Sequence, residues 1–256
     1  MTRIVWAELP STVRREVEER AGRVTASHPA DGGRSDLTAT LETDRGLVFI
    51  KAAQGRPFAP SLRNEAATNP YVRDIAPALL WHVEADGWTV LGFEHVAGRQ
   101  ADFTPGSPDL PLFRAALDRL QCIPLPPHAT ARVEQHYGQE PAMTGEALLH
   151  TDLNRHNVLI TGQRAMIVDW AWACRGAPWV DLALVAFLFM VAGHSVEEAE
   201  AWGATFPTWV DDGALTAFVT ANERVWHQAA GMDAPGWKLR AARIAERWAE
   251  QRQATL

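Results

Sequence analysis

Residues 148–160 read LLHTDLNRHNVLI, with His150, Asp152, Asn154, His156 and Asn157 packed into eight positions between apolar runs. A further carboxylate, Asp169, follows in AMIVDW, seventeen residues after Asp152. Clustered oxygen ligands with few competing donors suit a hard divalent cation such as magnesium, which favours carboxylate and phosphate oxygens. A carboxylate left off the cation can orient or deprotonate a hydroxyl, as a general base must. Asp and Asn also cap tight loops, and this loop taken alone fits either use.

The segment NVLI–TGQR–AMIV positions these groups. Two short apolar strands separated by turn-prone residues predict an antiparallel hairpin. With residues 161–164 as its loop, Ile160 pairs with Ala165, Leu159 with Met166, Val158 with Ile167 and Asn157 with Val168. Asn157 and Asp169 then emerge side by side at one end, which the loop holding Asp152 feeds.

Only two of the 24 basic residues are lysine, Lys51 and Lys238. Lys51 ends the apolar strand GLVFIKAA, where a compact ammonium suits phosphate oxygens better than a planar guanidinium; a snorkelling edge lysine is the alternative. Glu65, fourteen residues on in the next predicted helix, offers that ammonium a partner, although a lone glutamate there also fits a solvated surface. Upstream, the turn ADGGRSD would let backbone N–H groups approach a phosphate, with Ser35 adding a hydroxyl. Most Gly-Gly turns are only turns, so it is the order of Ser35, Lys51, Glu65, Asp152, Asn157 and Asp169 that informs.

A chain of 256 residues, 47% hydrophobic and 21% charged, is long enough to bury a sizeable core. Cys122 and Cys174 lack partners at metal-ligand spacing, so neither a zinc site nor a disulfide framework is expected, and a reducing cytoplasm suits them. The N-terminal segment becomes charged too soon for a signal peptide. The apolar run at residues 179–193 is shorter than a spanning helix and contains Asp181, so a buried core helix is expected and no membrane partner. A net charge of −7 argues against nucleic acid. From residue 178 onward ten acidic residues face six basic ones, which either attract a cationic substrate or only solvate helix faces.

Hydrophobic patterning predicts a helix at residues 7–21, antiparallel strands over residues 24–52, a helix at 62–72 and a hairpin turning at residues 85–87. After a boundary at residues 97–101, helices are expected at 112–122, 131–137, 143–149, 179–193, 195–204, 213–230 and 236–252. The organisation is α+β: residues 1–96 form an antiparallel sheet lobe with one key helix, and residues 97–256 a mainly helical lobe.

This series of positions resembles the aminoglycoside phosphotransferase and choline kinase family, which has a two-lobed protein-kinase-like fold. HTDLNRHN matches its H-x-D-x-x-x-x-N loop, IVDW its metal-site aspartate, and WVDLALVAF the D-L-A helix that follows. The resemblance implies that Asp152 is catalytic, receiving or orienting the acceptor's hydroxyl proton, while Asn157 and Asp169 hold Mg2+. Lys51, positioned by Glu65, would contact the inner phosphates of ATP or GTP. Residues 33–36, Ser35 among them, would cover the phosphates, and residues 93–97, with Glu94 and Val96, would lie along the base. Asp181 would brace the catalytic loop or start its helix, His150 would pack the loop, and His156 would brace it or approach the phosphate. Thr151 stands where the family's loop commonly has glycine, and Asn154 where protein kinases acting on Ser and Thr carry lysine, so a protein substrate is disfavoured. The implied activity is phosphoryl transfer to a small-molecule hydroxyl acceptor, an antibiotic of aminoglycoside or nucleoside type, in a cytoplasmic monomer or dimer. A metabolite kinase acting on a choline-, homoserine- or sugar-like acceptor and a nucleotide-binding pseudoenzyme are the alternatives.

Overall fold

Alternation in the first hundred residues becomes a five-stranded antiparallel sheet in the computed structural model, which describes residues 4–30, 35–138, 140–210, 212–231 and 234–254. The strands β1 (Val24–Pro29), β2 (Leu37–Thr43), β3 (Gly46–Gln54), β4 (Leu79–Ala85) and β5 (Trp88–Glu94) lie in the order β1-β2-β3-β5-β4. Asp86 and Gly87 turn β4 into β5 with φ of 49° and 76°. Two residues at positive φ give the turn whose twist matches its strands.

Because side chains alternate across a strand, the sheet has two distinct faces. Leu37, Ala39 and Leu41 of β2 join Val48, Ile50 and Ala52 of β3 on one of them, packed with Val13 and Val17 of helix α1 (Ser11–Ala21). Both valines are 0% exposed, and burying each contributes about 1.5–3 kcal/mol before chain entropy is set against it. Helix α2 (Phe58–Val72) takes the other face, where Ala59 and Leu62 pack with Leu91 and Phe93. Glu65 lies one turn beyond Leu62 and so is carried inward with it.

The chain folds as two compact units, one made of residues 1–100 with His156–Trp172 and the other of Ala101–Arg155 with Ala173–Leu256. From sequence the hairpin at residues 157–168 falls after the boundary at residue 97; in the structure it belongs with the sheet. Its strands β8 (Val158–Thr161) and β9 (Arg164–Ile167) pair in the expected register, and β6 (Arg99–Gln100) adds to β8. The Ile167 amide donates to the Ile75 carbonyl (2.6 Å), and Arg164 donates to that of Asp74 (2.6 Å).

In the second unit are α3 (Asp109–Leu120), α4 (Glu134–Tyr137), α5 (Val180–Ala192), α6 (Val196–Gly203), α7 (Asp212–Ala229) and α8 (Gly236–Ala254). Residues 143–149 are not the expected helix. A 3-10 turn at Pro141–Met143 precedes strand β7 (Ala147–Leu149), which pairs with β10 (Cys174–Gly176). That partner is distant in sequence, so local propensity cannot foresee it. Helix α5 is apolar on all sides and packs against α6, α7 and α8, as a core helix must. Among the described residues no helix is long and apolar enough to cross a membrane. Trp248 of α8 is fully buried, stacked on Phe187 and edge-on to Phe218, whereas Trp237 is 54% exposed.

The two cysteines differ in chemistry. Cys122 is exposed, while Cys174 is buried in β10 and burial pushes its thiol up to about 12. A thiol-disulfide reagent at pH 8 is expected to modify Cys122 in the native protein and Cys174 only after denaturation, because the thiolate is the nucleophile. Peptide mass mapping distinguishes them; equal native labelling would mean that β10 opens readily.

Candidate active site

The first unit brings Lys51, Glu65 and Asp169 together. Lys51 Nζ lies 2.8 and 2.9 Å from the two carboxylate oxygens of Glu65 and 2.8 Å from Asp169 Oδ1. The Lys51 and Glu65 side chains are 7% and 3% exposed and that of Asp169 25%. Burial alone would lower the lysine's pKa, but Glu65 and Asp169 together outweigh it and hold it above its usual value. Burial pushes the Glu65 carboxyl up, opposed by Lys51. The ionised form fits its surroundings, because the Trp170 amide also donates to Oε1 (3.2 Å). The Phe93 ring centroid stands 5.9 Å from the same ammonium.

Asn157 and Asp169 stand at the same end of the hairpin, where the Val168 amide donates to the Asn157 carbonyl (2.9 Å). Asp169 adopts φ 66°, a left-handed conformation that Asp tolerates better than most residues. Among the described residues no group of three or more His, Cys, Asp or Glu is arranged to hold a metal. For a cation at this end of the hairpin, Asp169 would offer a carboxylate and Asn157 an amide oxygen, with water and phosphate oxygens completing the shell. Magnesium in nucleotide enzymes is bound in that way, and the donor set fits it.

Asp152 lies in the second unit, on a loop built around Asp181. The two oxygens of Asp181, 3% exposed, accept the backbone amides of His150 (2.7 Å) and Thr151 (2.9 Å). That clamp holds Thr151 at φ 65°, a region that β-branched residues rarely occupy and whose strain the surroundings must offset. The Asp152 amide donates to Nδ1 of the fully buried His150 (3.2 Å), which puts that ring's proton on Nε2. Asn154 Nδ2 donates to Asp152 Oδ1 (2.8 Å). From sequence Asn154 stands out only as a departure from protein kinases; its contact with Asp152 is a role that sequence reasoning misses, and the i, i+2 Asp-Asn spacing is the signal that could reveal it.

Burial raises the Asp181 pKa to about 6, against the pull of the two amides. A carboxyl whose folded pKa exceeds its unfolded value contributes stability that is complete below pH about 4 and lost as pH rises through about 6. Asp181→Asn, which turns an amide NH2 toward two N–H donors, is expected to destabilise the protein, with a deficit that narrows as pH rises through that window. Urea midpoints at acid and neutral pH test this, and a deficit that widens with pH contradicts it.

The remaining predicted residues are less concentrated. Ser35 is half-buried beside residues 31–34, so Gly33 and Arg34 of the proposed phosphate turn lie outside the described residues. Glu94 ends β5 with an exposed side chain, and its amide donates to Ala78 (2.8 Å). Val96 is half-buried in the extended segment that follows. His156 Nδ1 lies 2.8 Å from Gln100 Oε1, a contact that ties the start of the hairpin to β6.

A five-stranded sheet with a helix glutamate on its strand lysine, together with an aspartate loop and helices, makes this a protein-kinase-like fold. The chain is similar to choline kinase LicA from Streptococcus pneumoniae (TM-score 0.64, 14% identity, 94% of this chain and 100% of that one). It is also similar to a thermostable mutant of aminoglycoside phosphotransferase APH(4)-Ia in ternary complex with AMP-PNP and hygromycin B (TM-score 0.61, 15% identity, 92% and 98% covered). Residues 97–232 match the profile of the APH phosphotransferase enzyme family, and the chain belongs to that family. No curated protein matches the sequence.

Proposed function

We propose that this phosphotransferase is a magnesium-dependent small-molecule kinase, moving the γ-phosphoryl of ATP or GTP to a hydroxyl group. The observation that carries this reading is the buried Lys51 ammonium, held by both oxygens of Glu65 and by Asp169. In this reading Lys51 contacts the inner phosphates, Ser35 lies near them, and the base runs along Glu94 and Val96. Magnesium held by Asn157 and Asp169 would neutralise charge on the β- and γ-phosphates. Asp152, oriented by Asn154, takes the proton of the acceptor hydroxyl as its oxygen bonds to the γ-phosphorus. The bond to the β-phosphate oxygen breaks and the nucleoside diphosphate leaves. Such chemistry asks a protein mainly for positioning and charge neutralisation, and a binding-only protein has no need of this full set.

For the acceptor we favour an antibiotic of aminoglycoside or nucleoside type, phosphorylated in the cytoplasm to give resistance or self-protection. The likeness to the hygromycin B complex and the acidic C-terminal portion support that choice. The likeness to a choline kinase supports a second, cationic amino alcohol acceptor. The decisive experiment measures magnesium-dependent nucleotide consumption over aminoglycosides, nucleoside antibiotics, amino alcohols and sugars, with mass spectrometry of the products. One class is expected to raise consumption and gain a phosphate. A wild-type protein that binds neither ATP nor GTP by calorimetry would sink the reading.

A further inference from the structure

We propose that the hydroxyl of Thr38 is a phosphate-binding group for the nucleotide, set beside Lys51; this rests on the kinase reading above. The β2–β3 register pairs Thr38 directly with Lys51. Cross-strand partners leave the same face of a sheet with their Cβ atoms close together. Leu37 and Ala39, on either side of Thr38, point the other way into the cluster under α1. Thr38 therefore shares the face on which Lys51 meets Glu65.

That face has two halves of different character. Helix α2 packs on β3, β5 and β4, where Ala59 and Leu62 cover Leu91 and Phe93. The β1–β2 half carries His28, Thr38, Thr40 and Glu42 at positions where a packed sheet would place apolar side chains. His28 and Glu42 satisfy each other at 2.7 Å. The Thr38 hydroxyl does not share in such a pair: it is buried, and no hydrogen-bond partner for Oγ1 exists among the described residues.

A buried hydroxyl without a partner burdens the fold. Valine has nearly the same shape and an equal preference for strands, and it would remove that burden at once. Threonine at this position therefore calls for a polar group that none of the described residues supplies. Opposite the lysine that this reading assigns to the phosphates, the matching group is a phosphate oxygen. The strand holds the residue in place, because the Thr38 carbonyl accepts the Ala30 amide (3.0 Å) and Asp36 Oδ2 accepts the Gln54 amide (2.8 Å). A χ1 step exchanges hydroxyl and methyl without moving the backbone, so the oxygen can turn to a ligand.

Thr38→Val and Thr38→Ser separate the possibilities in calorimetric titrations with magnesium and ATP or GTP, whichever binds, and with the corresponding nucleoside by competition. Thr38→Val is expected to weaken the triphosphate roughly tenfold, the scale of a hydrogen bond to a charged group. It should leave nucleoside affinity unchanged and thermal stability equal or higher, while Thr38→Ser keeps wild-type binding. Triphosphate affinity unchanged in Thr38→Val overturns the inference, as does an equal loss for triphosphate and nucleoside. Absence of nucleotide binding by the wild type would bring down the kinase reading and this inference with it, a result distinct from the other two.

Discussion

Asp152→Asn is expected to lower kcat by about 10²–10⁴-fold, the usual contribution of a positioned general base, while leaving nucleotide affinity unchanged. The size follows from how narrowly the carboxylate is held. Asp181 fixes the two preceding amides, His150 accepts the amide of Asp152 itself, and Asn154 donates to Oδ1 at 2.8 Å. Asparagine keeps the shape but cannot take a proton, and its amide facing that of Asn154 would lose the orienting contact whenever the two NH2 groups meet. Lys51, Glu65 and Asp169 belong to the other unit and make their contacts without Asp152. Steady-state turnover beside calorimetric nucleotide titration measures both halves of the expectation. A variant that keeps most of its turnover would remove Asp152 from the chemistry.

Lys51→Met should abolish phosphoryl transfer and also destabilise the fold. It leaves the Glu65 carboxylate, 3% exposed, without its cation and with the Trp170 amide as its remaining donor among the contacts described above. Breaking a buried ion pair by removing one partner typically costs about 3–5 kcal/mol, which for a chain of this size lowers Tm by on the order of 10 °C. The pH dependence has a definite sign. Burial already raises the Glu65 pKa, and loss of Lys51 removes the main opposing influence. A raised folded-state pKa means stability that is present at acid pH and lost as pH rises, so the deficit should be small near pH 4 and largest above neutrality. Lys51→Met combined with Glu65→Leu should recover much of the stability and none of the activity, since an apolar pair can replace a buried ion pair. Urea unfolding of the three proteins at acid and neutral pH is the measurement. Equal stability of Lys51→Met and wild type at pH 8 would show that the buried network does not hold the fold.

Much of the site is legible in the chain because its parts are local or repeat a short spacing. The hairpin register follows from two apolar runs and a turn, and it places Asn157 beside Asp169 without any tertiary contact. Lys51 stands out through its strand and through the scarcity of lysine, and Glu65 through its place in the next helix. Other features have no such signal. Trp170 lends its backbone amide to Glu65 across more than a hundred residues. Residues 147–149 look helical by neighbourhood and form a strand only because Cys174–Gly176 lie alongside.

By itself the sequence determined the order of functional residues, the α+β pattern, the hairpin and the resemblance to a kinase family, all of which follow from residue type and period. Tertiary structure alone decided that Lys51 holds Asp169 as well as Glu65, that the hairpin joins the sheet unit, and that Asp181 braces the loop through the amides of His150 and Thr151. It also decided that Thr38 stands across from Lys51 with its hydroxyl unmatched. The physical reason is range. Periodicity and turn chemistry act over a few residues, whereas burial and ion pairing act between groups that only the folded chain brings together.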